Sequence, residues 1–268
     1  MLAADVRFSG SVPANYERYL VPLLFRPYAE LLAERAVRYA PHRILETAAG
    51  TGVVTNALAT ILPDAEIVAT DLNQAMLDVA AERVTSDRVS FRQADALELP
   101  FDDASFDLVA CQFGVMFYPD KVQGNAEARR VLRDGGRYLT AIWAPIERNE
   151  LSNLAYQAMQ RLFPDNPPQF MVRGPFSYGD PQWIERDLRA AGFDEIEIET
   201  VTLESRSDSA ENGARGLVYG SPMRVELEDY GPGALDRVFD AVCGAAARFD
   251  GPDGFKAPMV AHIVTATR

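Results

Sequence analysis

Short apolar runs and helical periods alternate along the first 145 residues of the chain. Runs such as EIVAT and DLVACQF are short and mostly apolar, which is typical of strands buried on both faces of a sheet. Strands that alternate with helices in this way predict a doubly wound, mostly parallel α/β sheet. The strands are predicted at residues 43–46, 66–70, 89–93, 106–113 and 137–143, and the helices at residues 51–62, 73–84 and 120–132.

The amino-terminal segment has a helical period that two prolines interrupt. Apolar residues recur at helical spacing over residues 14–39. Proline lacks a backbone N–H donor and clashes with the preceding helical turn. Pro22 and Pro27 therefore predict two or three helical pieces in this segment instead of one continuous helix.

The pattern changes after residue 143. Residues 147–192 have a helical pattern around a loop that is rich in Pro, Gly and aromatic residues. Asp180 followed by Pro181 is typical of a helix start, and that helix is predicted to end near Gly192. The last two strands are expected to pair antiparallel at the sheet edge. The remaining elements are predicted as a strand at residues 195–202, a helical region at residues 209–249 and a strand at residues 258–267.

The charge balance narrows the class of ligand. The chain has 26 Lys and Arg against 39 Asp and Glu, a formal net charge of −13 over 268 residues. Nucleic-acid binding and docking on anionic membranes both depend on basic residues, so we expect neither. A small neutral or cationic molecule fits the charge better. The chain has only two cysteines, and its start, MLAADVRFSG, has no leader pattern, so we expect a cytoplasmic protein. It also lacks a long apolar run, so we expect no membrane span.

The most informative stretch is ILETAAGTGVVT at residues 44–55. A strand ends at Glu46, an Ala/Gly loop follows, and a helix begins. Ligands of open α/β sheets bind at the carboxyl ends of the strands, and Gly50 and Gly52 would allow a ligand to approach the backbone closely. A plain strand–helix turn is the alternative interpretation of these two glycines.

Two better-known phosphate-binding loops fit this stretch poorly. A Walker loop requires a Lys, and residues 44–63 contain no Lys or Arg. A dinucleotide fingerprint, GxGxxG, requires a small residue in its third position, where this chain has Thr55, or Val53 in the frame that starts at Ala48.

Polar residues at the ends of later strands strengthen the ligand-binding interpretation. Asp71 ends the second predicted strand, 21 residues after Gly50, where a carboxylate can accept hydrogen bonds from both ribose hydroxyls. A helix N-cap is the alternative role for Asp71. Asp95 follows the third strand, where it could accept from an adenine amino group, and Gln112 ends the fourth strand.

These motifs resemble the class I S-adenosylmethionine-dependent methyltransferases that act on small molecules, near the ubiquinone/menaquinone methyltransferase-like group. The glycine motif of that family, ExGxGxG, is matched by ETAAGTG, with Ala48 in place of the first glycine. LRDGGRYLTAIW resembles the PGG turn and fifth strand of the family, with Asp134 in place of the proline. The resemblance covers about residues 40–145, and it extends to the amino-terminal segment, which is similar to lid helices of a bacterial branch.

The resemblance implies a Rossmann-like sheet of seven strands with an antiparallel last strand, S-adenosylmethionine as cofactor and S-adenosylhomocysteine as product. It implies a single domain of residues 1–268, divided into lid helices (1–39), a cofactor-binding core (40–145), substrate and lid inserts (146–258) and the last strand (259–268). The cofactor-binding residues that it implies are Glu46, Ala48, Gly50, Gly52, Asp71, Leu72, Met76, Asp95, Ala96 and Gln112.

The predicted acceptor is a small, partly apolar molecule, and the predicted oligomeric state is a monomer or homodimer. No general base or metal ligand is evident, so in-line positioning is expected to drive the methyl transfer. His42 precedes the first strand, and His262 lies in the last one. A nicotinamide-dependent oxidoreductase and a non-catalytic cofactor-binding protein are the alternatives. Candidate substrate-binding residues, for which core packing is equally consistent, are Tyr16, Tyr19, Phe113, Met116, Phe170, Met171 and Phe176.

Overall fold

The computed structural model of the chain describes residues 15–268. The start of the predicted lid segment, residues 1–14, lies outside the described residues, and so does the stretch in which no leader pattern was recognised. Within residues 15–268, no helix combines the length and apolar character that crossing a bilayer requires.

Helices and strands follow the predicted order along the chain. The helices are α1 (Tyr16–Phe25), α2 (Arg26–Val37), α3 (Val53–Ile61), α4 (Gln74–Arg83), α5 (Lys121–Val131), α6 (Glu150–Leu162), α7 (Phe170–Arg173), α8 (Pro181–Ala190), α9 (Ala210–Gly220), α10 (Met223–Glu228) and α11 (Ala234–Ala246). The strands are β1 (Arg43–Glu46), β2 (Glu66–Asp71), β3 (Val89–Gln93), β4 (Phe106–Gln112), β5 (Leu132–Trp143), β6 (Glu195–Ser207), β7 (Asp250–Gly251) and β8 (Gly254–Thr267).

The strands form one mixed sheet. Its order is β3-β2-β1-β4-β5-β8-β6, and the two-residue strand β7 pairs with β8. The pairs β1–β2, β1–β4, β2–β3 and β4–β5 are parallel, whereas β8 runs antiparallel to β5. This topology confirms the predicted mostly parallel fold with an antiparallel last strand. Strand order reverses direction between β1 and β4, which is where ligands of such sheets bind.

Burial explains why some strands have continuous apolar runs in the sequence and others have alternating apolar and polar residues. In the central strand β4, every residue except Gln112 is buried, so both faces of the strand are covered. The edge strand β6 has exposed and partly buried residues in alternation, as its EIEIETVTL pattern predicted. Strands β5, β6 and β8 are each longer than predicted: β5 begins at Leu132, which pairs with Phe106 before a register shift, and β8 begins at Gly254, which pairs with Gly251 of β7.

The amino-terminal segment has two helical elements, α1 and α2, as its prolines predicted, although no break separates them. The helical path is continuous from α1 into α2, and Pro22 lies inside α1. The turns of α1 are π-helical, and at its end Arg26 N–H donates to Val21 O, five residues back. The chain therefore accommodates Pro22 by widening the helical turn, and Pro27 lies where the π-helical turns of α1 change to the α-helical turns of α2.

The chain divides into two compact units. The sheet unit comprises Tyr28–Trp143, Tyr178–Val201 and Ala261–Arg268, and the helical unit comprises the described residues up to Pro27, Ala144–Ser177 and Thr202–Val260. The sheet unit contains the predicted cofactor-binding core up to Trp143. The single-domain assignment and its subdivision stay predictions.

A buried asparagine organises the backbone of the helical unit. Asn149 Nδ2 donates to Val260 O at 3.1 Å, and Val260 N–H donates to Asn149 Oδ1 at 2.9 Å. The same amide donates to Ala144 O at 3.2 Å. Asn149 thus pairs with a strand edge as another strand would, and it satisfies backbone groups that are cut off from water.

Replacing this asparagine should destabilise the protein. We expect Asn149→Ala to lower the free energy of unfolding by about 2–3 kcal/mol, because buried backbone groups lose their partners. Urea unfolding followed by circular dichroism measures the change. Asn56→Ala is the matched control, since Asn56 is exposed on α3. Equal stability of the two variants would refute the role given to Asn149.

Candidate functional site

The loop after β1 is held between the two neighbouring strands. Thr47 N–H donates to Ala110 O of β4, and Ala49 N–H donates to Thr70 O of β2, both at 2.9 Å. Gly52 is the N-cap of α3. The loop therefore lies across the point where strand order reverses, as the sequence predicted for a ligand-binding loop.

Three residues of this loop have a left-handed backbone. The φ angles are 54° at Ala48, 56° at Gly50 and 81° at Gly52. A glycine is favoured at each position, which explains why the family pattern has one where this chain has Ala48. At Gly52 the space for a Cβ atom is taken by Ala80 of α4, 3.0 Å away. Close packing on α4, and not only the approach of a ligand, therefore requires a glycine at position 52.

The Asp71 carboxylate connects the end of β2 to the loop. Gly50 N–H donates to Asp71 Oδ2 at 2.8 Å, and Asn73 N–H donates to Asp71 Oδ1 at 2.9 Å. Burial raises the pKa of Asp71, and the bonds from Asn73 and Gly50 act in the opposite direction. The N-cap of α4 is Asn73, whose side chain accepts from Ala75 N–H. The alternative role for Asp71, a helix N-cap, is therefore wrong.

Glu46 is a buried acid whose partner the sequence reasoning missed. Thr55 Oγ1 donates to Glu46 Oε2 at 2.6 Å, and both side chains are buried. Burial raises the pKa of Glu46 to about 8; the Thr55 hydrogen bond lowers it, and the Asp71 charge raises it. The spacing of nine residues across a strand–loop–helix unit was the available signal, since it places the helix residue beside the strand end.

The residues proposed for the adenine differ in exposure. Met76 is buried on the first turn of α4, whereas the Leu72 side chain is 59% exposed beside Asp71. Asp95 is exposed, and its Oδ1 accepts from Leu97 N–H at 2.9 Å. Ala96, the next residue, is partly buried. Their contacts with a cofactor stay predictions.

An aromatic cluster lies at the ends of β4 and β5. The rings of Phe113 and Trp143 are stacked, with centroids 3.8 Å apart, and the Tyr28 ring meets each of them edge-on at 5.4 Å. Phe113 has a φ of 54°, and its N–H donates to Ala141 O at 2.9 Å. Trp143 was not predicted as a site residue, because its contact with Phe113 joins positions that are distant in sequence.

The first and fourth strand ends also touch directly. A Cβ atom at Gly114 would be 2.5 Å from Ala48 Cβ and 2.8 Å from Cys111 Sγ. The Tyr118 hydroxyl donates to Thr47 Oγ1 at 3.2 Å. The loops after β1 and β4 are therefore packed without space between them.

The remaining predicted residues have different surroundings. Gln112 is partly buried at the end of β4, and Met116 is buried in the short turn that follows. His42 lies before β1, at the amino end of the sheet, whereas the buried His262 ring is 3.0 Å from the Thr200 hydroxyl and 3.0 Å from Gly179 O. His42 is therefore at the opposite end of the sheet from the loop after β1, and His262 is a packed residue of the last strand.

The other five candidate substrate residues belong to the helical unit. The Tyr16 ring lies 5.4 Å from the Phe25 ring, and a Cβ atom at Gly216 of α9 would be 3.0 Å from Tyr19. The first turn of α7 is held by Glu226, whose carboxylate accepts from Phe170 N–H at 2.7 Å. Phe170 and Met171 are buried within α7, and Phe176 is partly buried beyond it.

Comparison with known proteins identifies similar chains. The family model described as a methyltransferase domain matches residues 44–136. A demethylmenaquinone methyltransferase of Deinococcus radiodurans is 31% identical over 179 residues, covering 63% of this chain and 74% of that protein. A ubiquinone/menaquinone biosynthesis C-methyltransferase of Dinoroseobacter shibae is 29% identical over 198 residues, covering 67% and 77%. The solved phosphoethanolamine N-methyltransferase 2 of Haemonchus contortus has the same fold, with a TM-score of 0.64 at 17% identity over 100% of this chain and 61% of that one.

The contact between the two loops can be tested by a double-mutant cycle. We expect Gly114→Ala to lower the free energy of unfolding by about 1–3 kcal/mol, because the new methyl group overlaps Ala48 and Cys111. Ala48→Gly removes one of these contacts and relieves a left-handed backbone that costs alanine about 1 kcal/mol. Gly114→Ala should therefore cost less in the Ala48→Gly background. Gly244→Ala, which meets nothing within 4 Å, is the control. An unchanged cost would contradict the packing described.

The pKa of Glu46 predicts a pH dependence of stability. Its pKa is raised from 4.5 to about 8, so its stabilising contribution is complete below pH 4.5 and is lost as the pH rises through 8. We expect the free energy of unfolding of the wild type to fall between pH 5 and 8 relative to that of Glu46→Gln, by up to about 4 kcal/mol. Urea unfolding of the ligand-free proteins across this range measures the difference.

Asp64→Asn serves as the control for this measurement, since Asp64 is an exposed acid in the turn before β2. Its stability should follow the wild-type pH curve. A constant difference between wild type and Glu46→Gln at all pH values would show that Glu46 does not titrate in this range.

Proposed function

The chain belongs to the class I S-adenosylmethionine-dependent methyltransferases of the ubiquinone/menaquinone group. We propose that its methyl acceptor is a small, partly apolar molecule of the phenol or hydroquinone class. The observation that carries the site assignment is the bond from Gly50 N–H to the Asp71 carboxylate, which joins the glycine loop to the acid at the end of β2. The acceptor class rests on the quinone named for both relatives and on the aromatic cluster at β4 and β5.

The residues of the loop fit the cofactor. Thr51 Oγ1 is buried and has no hydrogen-bond partner among the described residues, so it is available to a ligand. Asp71 is a partly exposed residue beside the exposed Leu72, which suits a polar ribose next to a flat apolar base. Glu46 and Asp71 supply acidic groups for a cofactor with a net positive charge.

When bound, the cofactor supplies an electrophilic methyl group on a sulfonium. Asp71 would hold the ribose hydroxyls, and Met76, Leu72, Asp95 and Ala96 would enclose the adenine. Glu46, Ala48, Gly50 and Gly52 would border the methionine part, with Gln112 at its sulfur end. The protein's contribution is then to align the acceptor, which can supply on the order of 7–11 kcal/mol.

The acceptor end of the site is assigned to the aromatic cluster. Phe113 follows β4 directly, and its ring is held by Trp143 and Tyr28. All three rings are buried, at 7% exposure for Phe113, 4% for Trp143 and 0% for Tyr28, so they would form a rigid apolar wall behind an aromatic acceptor. His42 precedes β1, and both ring nitrogens of His262 face protein partners, the Thr200 hydroxyl and Gly179 O, so we propose that the acceptor's proton leaves without a histidine base. The predicted cytoplasmic location, the oligomeric state and the lack of nucleic-acid binding stay predictions.

The two alternative functions are less well supported. An oxidoreductase would need a small residue at position 55, where Thr55 instead donates to Glu46. A non-catalytic binding protein would bind cofactor without turnover. Incubation with S-adenosylmethionine and a panel of hydroquinones, phenols and amines, followed by mass spectrometry, distinguishes these functions. Methylated product from a phenolic acceptor supports the proposal, and cofactor binding without any product would overturn it.

The role of Asp71 can be measured separately. We expect Asp71→Ala to weaken binding of S-adenosylhomocysteine at least tenfold, because the ribose hydroxyls lose a charged acceptor. Isothermal titration calorimetry gives the dissociation constants, and circular dichroism shows whether the variant is folded. Asp64→Ala, an exposed acid before β2, is the control and should bind as the wild type does. Unchanged affinity in a folded Asp71→Ala protein would remove Asp71 from the site.

A further inference from the structure

Glu46 and Thr55 form an enclosed pair directly behind the glycine loop. The Glu46 side chain is 1% exposed and the Thr55 side chain 0%, and a hydrogen bond of 2.6 Å joins them. Glu46 is the last residue of β1, and Thr55 is the third residue of α3. The hydroxyl therefore holds one carboxyl oxygen in place from the helix side.

The elements packed around this pair supply no basic group. The loop 47–52 and helix α3 contain no charged residue. From β2 the titratable group that acts on Glu46 is Asp71, which disfavours a second negative charge. The titratable groups of β4 are Asp107, which accepts from His42 N–H at the amino end of the sheet, and the buried Cys111, whose Sγ lies 3.5 Å from the Tyr118 hydroxyl. A carboxylate in this position has one hydroxyl donor and an acidic neighbour.

From this geometry we propose that Thr55 is a positioning residue for Glu46, and that binding of the cationic cofactor expels one proton from the Glu46 carboxyl group. The proposal rests on the proposed cofactor site. An ionised carboxyl group that is buried without a counter-charge is costly, so the neutral acid is favoured in the ligand-free protein. The cofactor brings the counter-charge. The carboxyl O–H bond then breaks, the electron pair stays on oxygen, and the proton passes to the solvent.

The proposal predicts proton release on binding. At pH 6.5, where the cofactor's own amino group is protonated (ordinary pKa about 7.7–8.0), binding of S-adenosylmethionine should release close to one proton per site. Its dissociation constant should fall about tenfold between pH 6 and 7. Titration calorimetry in buffers of different ionisation enthalpy measures the proton number. Binding without proton release would overturn the inference and leave the proposed function intact, whereas no binding at all would overturn the proposed function.

Variants at both positions separate a positioning role from a merely structural one. Glu46→Gln should bind without proton release and without the pH dependence between pH 6 and 7. In the wild type, affinity for S-adenosylmethionine should rise with pH and then level off. In Thr55→Val, the pH at which it levels off should increase by about one unit, because the hydroxyl that favours the Glu46 carboxylate is lost. Thr55→Ser should restore the wild-type curve.

The matched control for these variants is Thr60→Val. Thr60 is on the same helix, but its hydroxyl donates to Asn56 O at 2.7 Å at the surface. Its pH curve should equal that of the wild type. If Thr55→Val weakened binding equally at every pH, or if Thr55→Ser did not restore the curve, Thr55 would have no positioning role.

Discussion

Parallel pairing of β1 with both β2 and β4 is the constraint on which the site depends. Pairing in register brings the carboxyl ends of three strands to one edge of the sheet. Glu46, Asp71 and Gln112 are thereby placed at neighbouring strand ends, although they are far apart in the chain. Loop backbone groups then bond to the neighbouring strands, so that the loop conformation is set by the sheet and not by the loop alone. A ligand at this edge meets groups whose positions are already determined.

The close contact of the loops explains why this edge tolerates strained backbone. Ala48 and Phe113 are both left-handed, which costs a residue with a Cβ atom free energy. Each is held by a neighbour: Ala48 lies against Gly114, and Phe113 donates to Ala141 and stacks on Trp143. Strain of this kind persists only where surrounding contacts determine the conformation, as they do at this edge of the sheet.

Sequence reasoning could predict what is local and periodic. The order of strands and helices, the glycine loop and the strand-end acids were predictable, because apolar periods and Gly spacing act over a few residues. The path through Pro22 was not, since propensity disfavours it and only the widened turn of α1 permits it. Asn149 and Val260 are 111 residues apart, and a pattern that spans a few residues cannot predict such a pair. The acceptor end depends on such long-range contacts, so its residues were the hardest to identify.

The acidic residues of the chain act in two different ways. Most of the 39 acidic residues add to a net charge that disfavours polyanionic partners, and they act collectively through the solvent. Glu46 differs, because burial is the main influence on its charge state, and the Thr55 hydroxyl and the Asp71 carboxylate have smaller, opposite effects on its pKa. A buried acid in such surroundings need not be ionised to be useful. It can remain neutral while the site is empty, which avoids the cost of an unpaired charge, and acquire its charge when a cation arrives. The same carboxyl group is then compatible with a stable ligand-free fold and with selectivity for a positively charged cofactor.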